Sequence, residues 1–185
     1  MEAEASAEWG WHLDVVPGLL QTESYMRANI GQMNALEPTP PSKIDRSVAV
    51  RLRRQQLLHR DPPLQYSVVL DESVLRRQVG DASVMRKQLA YLAQVAALPN
   101  VSLRVMPLAG ANPMVMNSFD MLRIVGVETT MPDVVWTELL TATLHFEGEA
   151  DTFRYHLLFQ TLNAGAMSPA ESVDLMNQIM SEVWS

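Results

Sequence analysis

Cysteine is absent from all 185 residues. That excludes a disulfide framework, thiolate metal sites and a cysteine nucleophile, and it suits a reducing compartment. No apolar run approaches the roughly 18–20 residues of a membrane-spanning helix. The opening stretch, MEAEASAEWGW, is acidic where a secretory signal is basic and then apolar. A cytoplasmic protein without membrane association is therefore expected. Glycine is scarce, at eight residues, and none falls in a GxGxxG or GxxxxGK[ST] pattern. The usual loops that cradle nucleotide phosphates are missing, as is the GxSxG elbow of serine-based hydrolases. The four histidines, His12, His59, His145 and His156, show no i, i+4 pairing, so neither a metal nor a cofactor is expected. Positive charge is in deficit, with a net charge of −7, which disfavours direct nucleic-acid binding by the chain as a whole.

What remains is an ordinary globular composition, 48% hydrophobic and 19% charged, fitting one domain over residues 1–185. Charge is unevenly spread. Residues 1–39 carry one Arg and six acidic residues, residues 40–104 eleven basic and five acidic, and residues 105–185 two Arg and ten acidic. The basic island is either an anion site or a face that packs against the acidic remainder. Pro38-Thr39-Pro40-Pro41 is the one linker-like stretch, too short to separate domains.

Helical signals lie over 22–33, with Thr22 as cap, and over 42–60, opened by Ser42. A short helix capped by Asp71 is closed by Gly80. Met85, Leu89, Leu92 and Ala96 form an apolar stripe over 82–98, and Ala150, Phe153, Leu157, Gln160 and Ala164 share a face over 150–165. Ser168-Pro169-Ala170-Glu171 reads as a capping box opening a last helix that buries Val173, Met176, Met180 and Val183. Strands are predicted over 65–70, 101–106, 119–125, 134–139 and 142–146. Trp9 and Trp11, flanking Gly10, read as residues that dock on the body or face a neighbouring domain, and no strand is predicted there. The pattern predicts an α+β fold, with an antiparallel or mixed sheet of about five strands and helices packed on it.

Three groups of residues are candidates for chemistry. Arg46, Arg53 and Arg60 line one face of the 42–60 helix, with Arg51 and Arg54 at i, i+3 on a second. Guanidinium forks suit a carboxylate or phosphate, or they form a solvated, salt-bridged face. Five of the twelve methionines (Met106, Met114, Met116, Met121, Met131) fall close together. With Phe119 and Trp136 as aromatic walls they suggest an adaptable apolar pocket, against the alternative of plain core filling. Glu72 and Glu138 end predicted strands, and Glu138 with His145 could form an acid/base pair across a hairpin.

Val16-Pro17-Gly18-Leu19-Leu20-Gln21-Thr22-Glu23-Ser24-Tyr25 resembles a known family. The likeness continues through Val50-Arg51-Leu52-Arg53-Arg54-Gln55-Gln56-Leu57-Leu58, Val69-Leu70-Asp71-Glu72 and Pro99-Asn100-Val101, and on to Ala166-Met167-Ser168. The family is the domain of unknown function that follows the helix-turn-helix in actinobacterial XRE-type transcription regulators, the WhiJ-like group. The resemblance implies a regulatory effector domain, with no helix-turn-helix expected within 1–185. Its partner would be a small apolar or amphipathic molecule, or a regulator protein, and an oligomer is compatible with it. Met114, Met116, Phe119 and Trp136 would form the pocket, with Gln21, Tyr25, Arg51, Gln55 and Glu72 as its polar rim. The alternative is a stand-alone, cofactor-independent cyclase or isomerase of natural-product (polyketide or terpenoid) biosynthesis, with Glu138 and His145 as its acid and base.

Overall fold

A computed structural model describes residues 4–33, 38, 40–109, 117–124, 133–139 and 141–185. Strand β1 (Ala5–His12) leads through a single 3-10 turn (Gly18–Leu20), α1 (Glu23–Met33) and α2 (Pro41–Gln55) into β2 (Gln65–Asp71). From there the chain passes through α3 (Glu72–Arg76) and α4 (Ala82–Val95) to β3 (Val101–Met106). Helical crossovers of this length return strands parallel, and β1, β2 and β3 are parallel neighbours. The later strands, β4 (Phe119–Ile124), β5 (Val134–Glu138) and β6 (Thr143–Phe146), each pair antiparallel with the next. β4 also pairs antiparallel with the other side of β1, giving a mixed six-stranded sheet ordered β3-β2-β1-β4-β5-β6. Two helices follow, α5 (Glu149–Gly165) and α6 (Pro169–Glu182), and the fold is α+β.

Two hydrophobic clusters cover the two faces of the sheet. On one face Tyr66, Val68, Leu70, Leu103 and Val105 meet Met85, Leu89 and Leu92 of α4 and Met176 and Ile179 of α6. On the other, Trp11, Val69, Met121 and Val135 meet Phe159 and Leu162 of α5. The period-two apolar residues of β2 and β3 face α4 and α6, and Val69 and Met106 face α5 on the opposite side, so both faces of these parallel strands are covered. The outer edge of β3 is not left open. Met167 N donates to Val105 O at 2.9 Å, and Val105 N donates to Ser172 Oγ at 2.9 Å.

The sheet has one strand more than expected, and that strand is central. ASAEWGWH carries a glutamate and a glycine, both poor strand formers, so it does not read as a buried strand. Pairing on both sides overrides that preference. Its odd residues Trp9 and Trp11 pack with the α5 cluster, and its even residues Glu8, Gly10 and His12 face the other way.

Other local features differ from the sequence pattern. Helix α2 begins at Pro41 with Pro40 as its N-cap and no side-chain cap, so Ser42 lies inside the first turn. It ends at Gln55, followed by a 3-10 turn over Gln56–Leu58. In α5 the face bearing Phe153 and Leu157 points to solvent, at 61% and 47% exposure, and Thr152, Phe159 and Leu162 are buried instead. Helix α6 has the expected capping box at Ser168 and Glu171 and buries Met176. Its other buried residues are Ser172 and Ile179, and Val183 is exposed.

Candidate functional site

The turn between β1 and α1 is held by glutamines. Gln88, fully buried on α4, accepts from Thr22 N at 2.7 Å and donates to Leu20 O at 2.6 Å. Gln55 on α2 donates to Gln21 O at 2.6 Å and to Gly18 O at 3.3 Å. Gln21 donates to Val16 O at 2.6 Å, and Tyr25 Oη accepts from Val16 N at 3.3 Å. A short irregular segment cannot satisfy its own backbone, and buried amide side chains do it here. Burial pushes the Tyr25 hydroxyl up from 10.0 to about 12, against the opposing effect of its bond to Val16.

This turn and α2 stand over the first face of the sheet and enclose a cavity of about 580 Å³, within the range of small-molecule sites. Even-numbered strand positions form its floor: Glu8 and His12 of β1, Asp120 and Leu122 of β4, and Val134, Trp136 and Glu138 of β5. Thr143 and His145 of β6 complete that side. Arg51 and Arg54 of α2 form the roof, with Gly18 and Gln21 beside them. Strand alternation selects the floor, and the i, i+3 helical spacing brings the two arginines together above it.

Arg51 is largely withdrawn from water and makes no hydrogen bond or ion pair among the described residues. Burial lowers its pKa, neighbouring Arg54 lowers it further, and Glu138 pulls the other way. Its Nη1 would lie only 3.0 Å from a Cβ on Gly18, so the absent side chain there gives the guanidinium its place. On the floor, His12 Nε2 lies 3.1 Å from Asp120 Oδ1, with the two side chains 8% and 18% exposed. Gly10 lies beneath this pair. A Cβ at that position would be 2.7 Å from His12 Nε2 and 2.8 Å from Asp120 Oδ1.

Of the residues singled out from the sequence, Gln21, Arg51, Trp136, Glu138 and His145 line this cavity, whereas Phe119 borders it with its ring turned to the opposite face, 4.9 Å from the Tyr155 ring of α5. Glu138 and His145 are diagonal neighbours on one face of the β5–β6 pair, since Trp136 pairs with His145 and Glu138 with Thr143. Tyr25 and Gln55 stand behind the wall and hold its backbone. Glu72 lies elsewhere: it pairs with Arg76 Nε at 2.7 Å and accepts from Leu108 N at 3.0 Å. Met114, Met116 and Met131 lie outside the described residues, while Met106 and Met121 are buried in the cluster under α5. Glu8, His12 and Asp120 do not stand out in the sequence. The polar period-two pattern Glu8–Gly10–His12 is the available signal, hidden because 5–12 does not read as a strand.

Among the described residues no cluster of three or more His, Asp and Glu side chains could hold a metal ion, and no helix is long and apolar enough to cross a membrane. Comparison with curated proteins finds no match. Comparison with solved structures finds none either. A family model matches residues 1–178, nearly the entire chain, and that match takes in every element lining the cavity. The chain therefore belongs to the family described as a domain of unknown function, DUF5753.

Proposed function

We propose that this chain is a cytoplasmic effector domain of the kind carried by XRE-type transcription regulators, and that its cavity takes a small amphipathic molecule. The observation that carries this reading is the division of the cavity into unlike walls. Trp136, Leu122 and Val134 offer apolar surface on the sheet side, among the carboxylates of Glu8, Asp120 and Glu138, and Arg51 and Arg54 offer positive charge on the helix side. A ligand with a hydrocarbon or ring body and an acidic end satisfies both, and it supplies Arg51 with a hydrogen-bond partner that it lacks among the described residues.

Helix α2 is suited to report binding. Val48 is its one buried residue, and polar contacts tie it to the body: Gln55 to the turn, and Arg27 Nη1 to Asp45 Oδ1 at 2.7 Å. An element held so lightly is biased by a ligand that grips Arg51 and Arg54, which is how an effector shifts a conformational equilibrium.

The test is mass spectrometry of the protein purified under native conditions from an actinobacterial host. A small acidic amphiphile is expected on the wild type, and it should be missing from Thr143→Trp, where an indole at an exposed rim position fills the mouth. Wild-type protein without any bound small molecule, or an unchanged load on Thr143→Trp, would refute the proposal.

A second reading is a cofactor-independent cyclase or isomerase. It draws support from Glu138 and His145, which share the cavity with the arginines. Conversion of the co-purified molecule on incubation, lost in Glu138→Gln, would favour it.

A further inference from the structure

The floor of the cavity holds a polar pair that simple binding of an amphiphile does not use. We infer that His12, oriented by Asp120, takes a proton from a weakly acidic hydroxyl of the bound molecule, such as a phenol or an enol. The inference rests on the cavity being a small-molecule site, as proposed above.

Three observations carry it. First, the backbone is adapted to the pair. Gly10 sits opposite Asp120 in the β1–β4 register, and any larger residue would drive a Cβ into both His12 Nε2 and Asp120 Oδ1. A glycine in the interior of a central strand weakens the sheet, and here it marks a close approach that the pair requires. Second, the pair is oriented. Asp120 accepts from Nε2–H, which leaves the lone pair of a neutral imidazole on Nδ1, and Nδ1 has no partner among the described residues. Third, both side chains are largely buried in the protein and line the cavity, so a molecule bound there meets the imidazole.

The proton balance is simple. The ligand's O–H bond breaks and an Nδ1–H bond forms. The electron pair stays on the ligand oxygen, and Asp120 remains a carboxylate facing the new imidazolium. No oxidant or co-reactant is consumed. Among the described residues, the other charged and titratable groups facing the cavity are Arg51 and Arg54 from α2, Glu8 from β1, Asp14 after it, and Glu138 and His145 from β5 and β6. The arginines favour the oxyanion and the carboxylates of Glu8, Asp14 and Glu138 oppose it, so the anion is held where the guanidiniums lie nearest its oxygen. Such a site suits a ligand that enters as a neutral phenol or enol and is held as its anion. The same step would open an isomerisation through an enolate.

The probe is 4-nitrophenol, colourless when neutral and yellow as its anion, with 4-nitroanisole as a control of nearly equal shape and no acidic proton. Below the free phenol's own pKa, bound 4-nitrophenol is expected to be yellow on the wild type. His12→Gln and Asp120→Asn should lower the ratio of bound anion to bound neutral form by roughly tenfold or more, equivalent to one pK unit. Both variants should bind 4-nitroanisole as the wild type does. Colourless bound 4-nitrophenol on the wild type, or an unchanged ratio in His12→Gln, overturns the proton transfer and leaves the cavity reading standing. A parallel loss of 4-nitroanisole binding in the variants assigns the pair a structural role and also overturns it. Failure of the wild type to bind either probe any better than Thr143→Trp overturns both readings.

Discussion

Gly10 is the residue on which the floor of the cavity depends. A methyl group there has to displace His12 or Asp120, because both polar atoms lie well inside contact distance of its position. Gly10→Ala should destabilise the protein by about 1–3 kcal/mol, the usual range for overpacking. Chemical denaturation would measure the loss, and the His12 ring resonances should move at the same time. An unshifted His12 with full stability would contradict the assigned geometry. Tyr25 sets a different limit. Its hydroxyl is pushed up to about 12 from 10.0, so the folded state holds the proton more tightly than the unfolded state does. Its contribution is complete below the unfolded value near 10 and is lost as the pH climbs toward 12. Over that window it is worth on the order of 2–3 kcal/mol. Alkaline unfolding of Tyr25→Phe should show a weaker dependence in that range, at the cost of roughly 1–2 kcal/mol at neutral pH for the unpaired Val16 amide.

Among the elements, α2 and α5 contrast. Helix α2 is joined to the body by polar contacts and one buried valine. Amide exchange in α2 should be faster than in α4, which buries five residues, and should slow when an acidic amphiphile such as decanoate binds. Arg51→Ala with Arg54→Ala should remove that slowing while leaving α4 unchanged. Helix α5 is docked through a denser junction. Asp133 accepts from Arg123 Nη2 at 2.9 Å, from Arg123 Nε at 3.1 Å and from His156 at 2.5 Å, and the His156 ring meets Trp9 edge-on at 5.1 Å. Burial alone would raise the Asp133 carboxyl, but the hydrogen bonds from Arg123 and His156 outweigh it and hold it below its ordinary 3.8. Its contribution is full above that value and is lost as acid carries the pH through the depressed one. Asp133→Asn should cost about 1–2 kcal/mol at neutral pH and lessen the acid sensitivity of the fold, which thermal melts across pH would show.

The capping box of α6 and the stripe of α4 are legible in the sequence because their causes are local: a cap lies within one turn, and a stripe within a few. The exposed face of α5 is not. Phe153 and Leu157 are as apolar as Phe159 and Leu162, and only the position of the sheet chooses between them. In the cavity, Arg51, Trp136, Glu138 and His145 are recognisable as residue types with chemistry to offer, but their meeting depends on a register across β5 and β6.

At the scale of the whole chain, Trp184 ties the segment after α6 to α3 and α4. Trp184 Nε1 donates to Leu75 O at 2.9 Å, and Arg86 Nη1 donates to Trp184 O at 2.7 Å. Trp184→Ala should therefore cost about 3–5 kcal/mol in equilibrium unfolding. A loss below about 1 kcal/mol would mean that these contacts are dispensable.

Composition and local pattern were enough to establish an α+β class, the capping box of α6, the absence of thiol chemistry, and the clustering of arginines on one helix. These depend on neighbours a few residues apart. Tertiary structure alone decided that 5–12 is the central strand, because a segment carrying Glu8 and Gly10 becomes a strand only when β2 and β4 pair with both its edges. With that placement the polar face of β1 turns under α2. His12 and Asp120, 108 positions apart in the chain, then become partners across a single cavity.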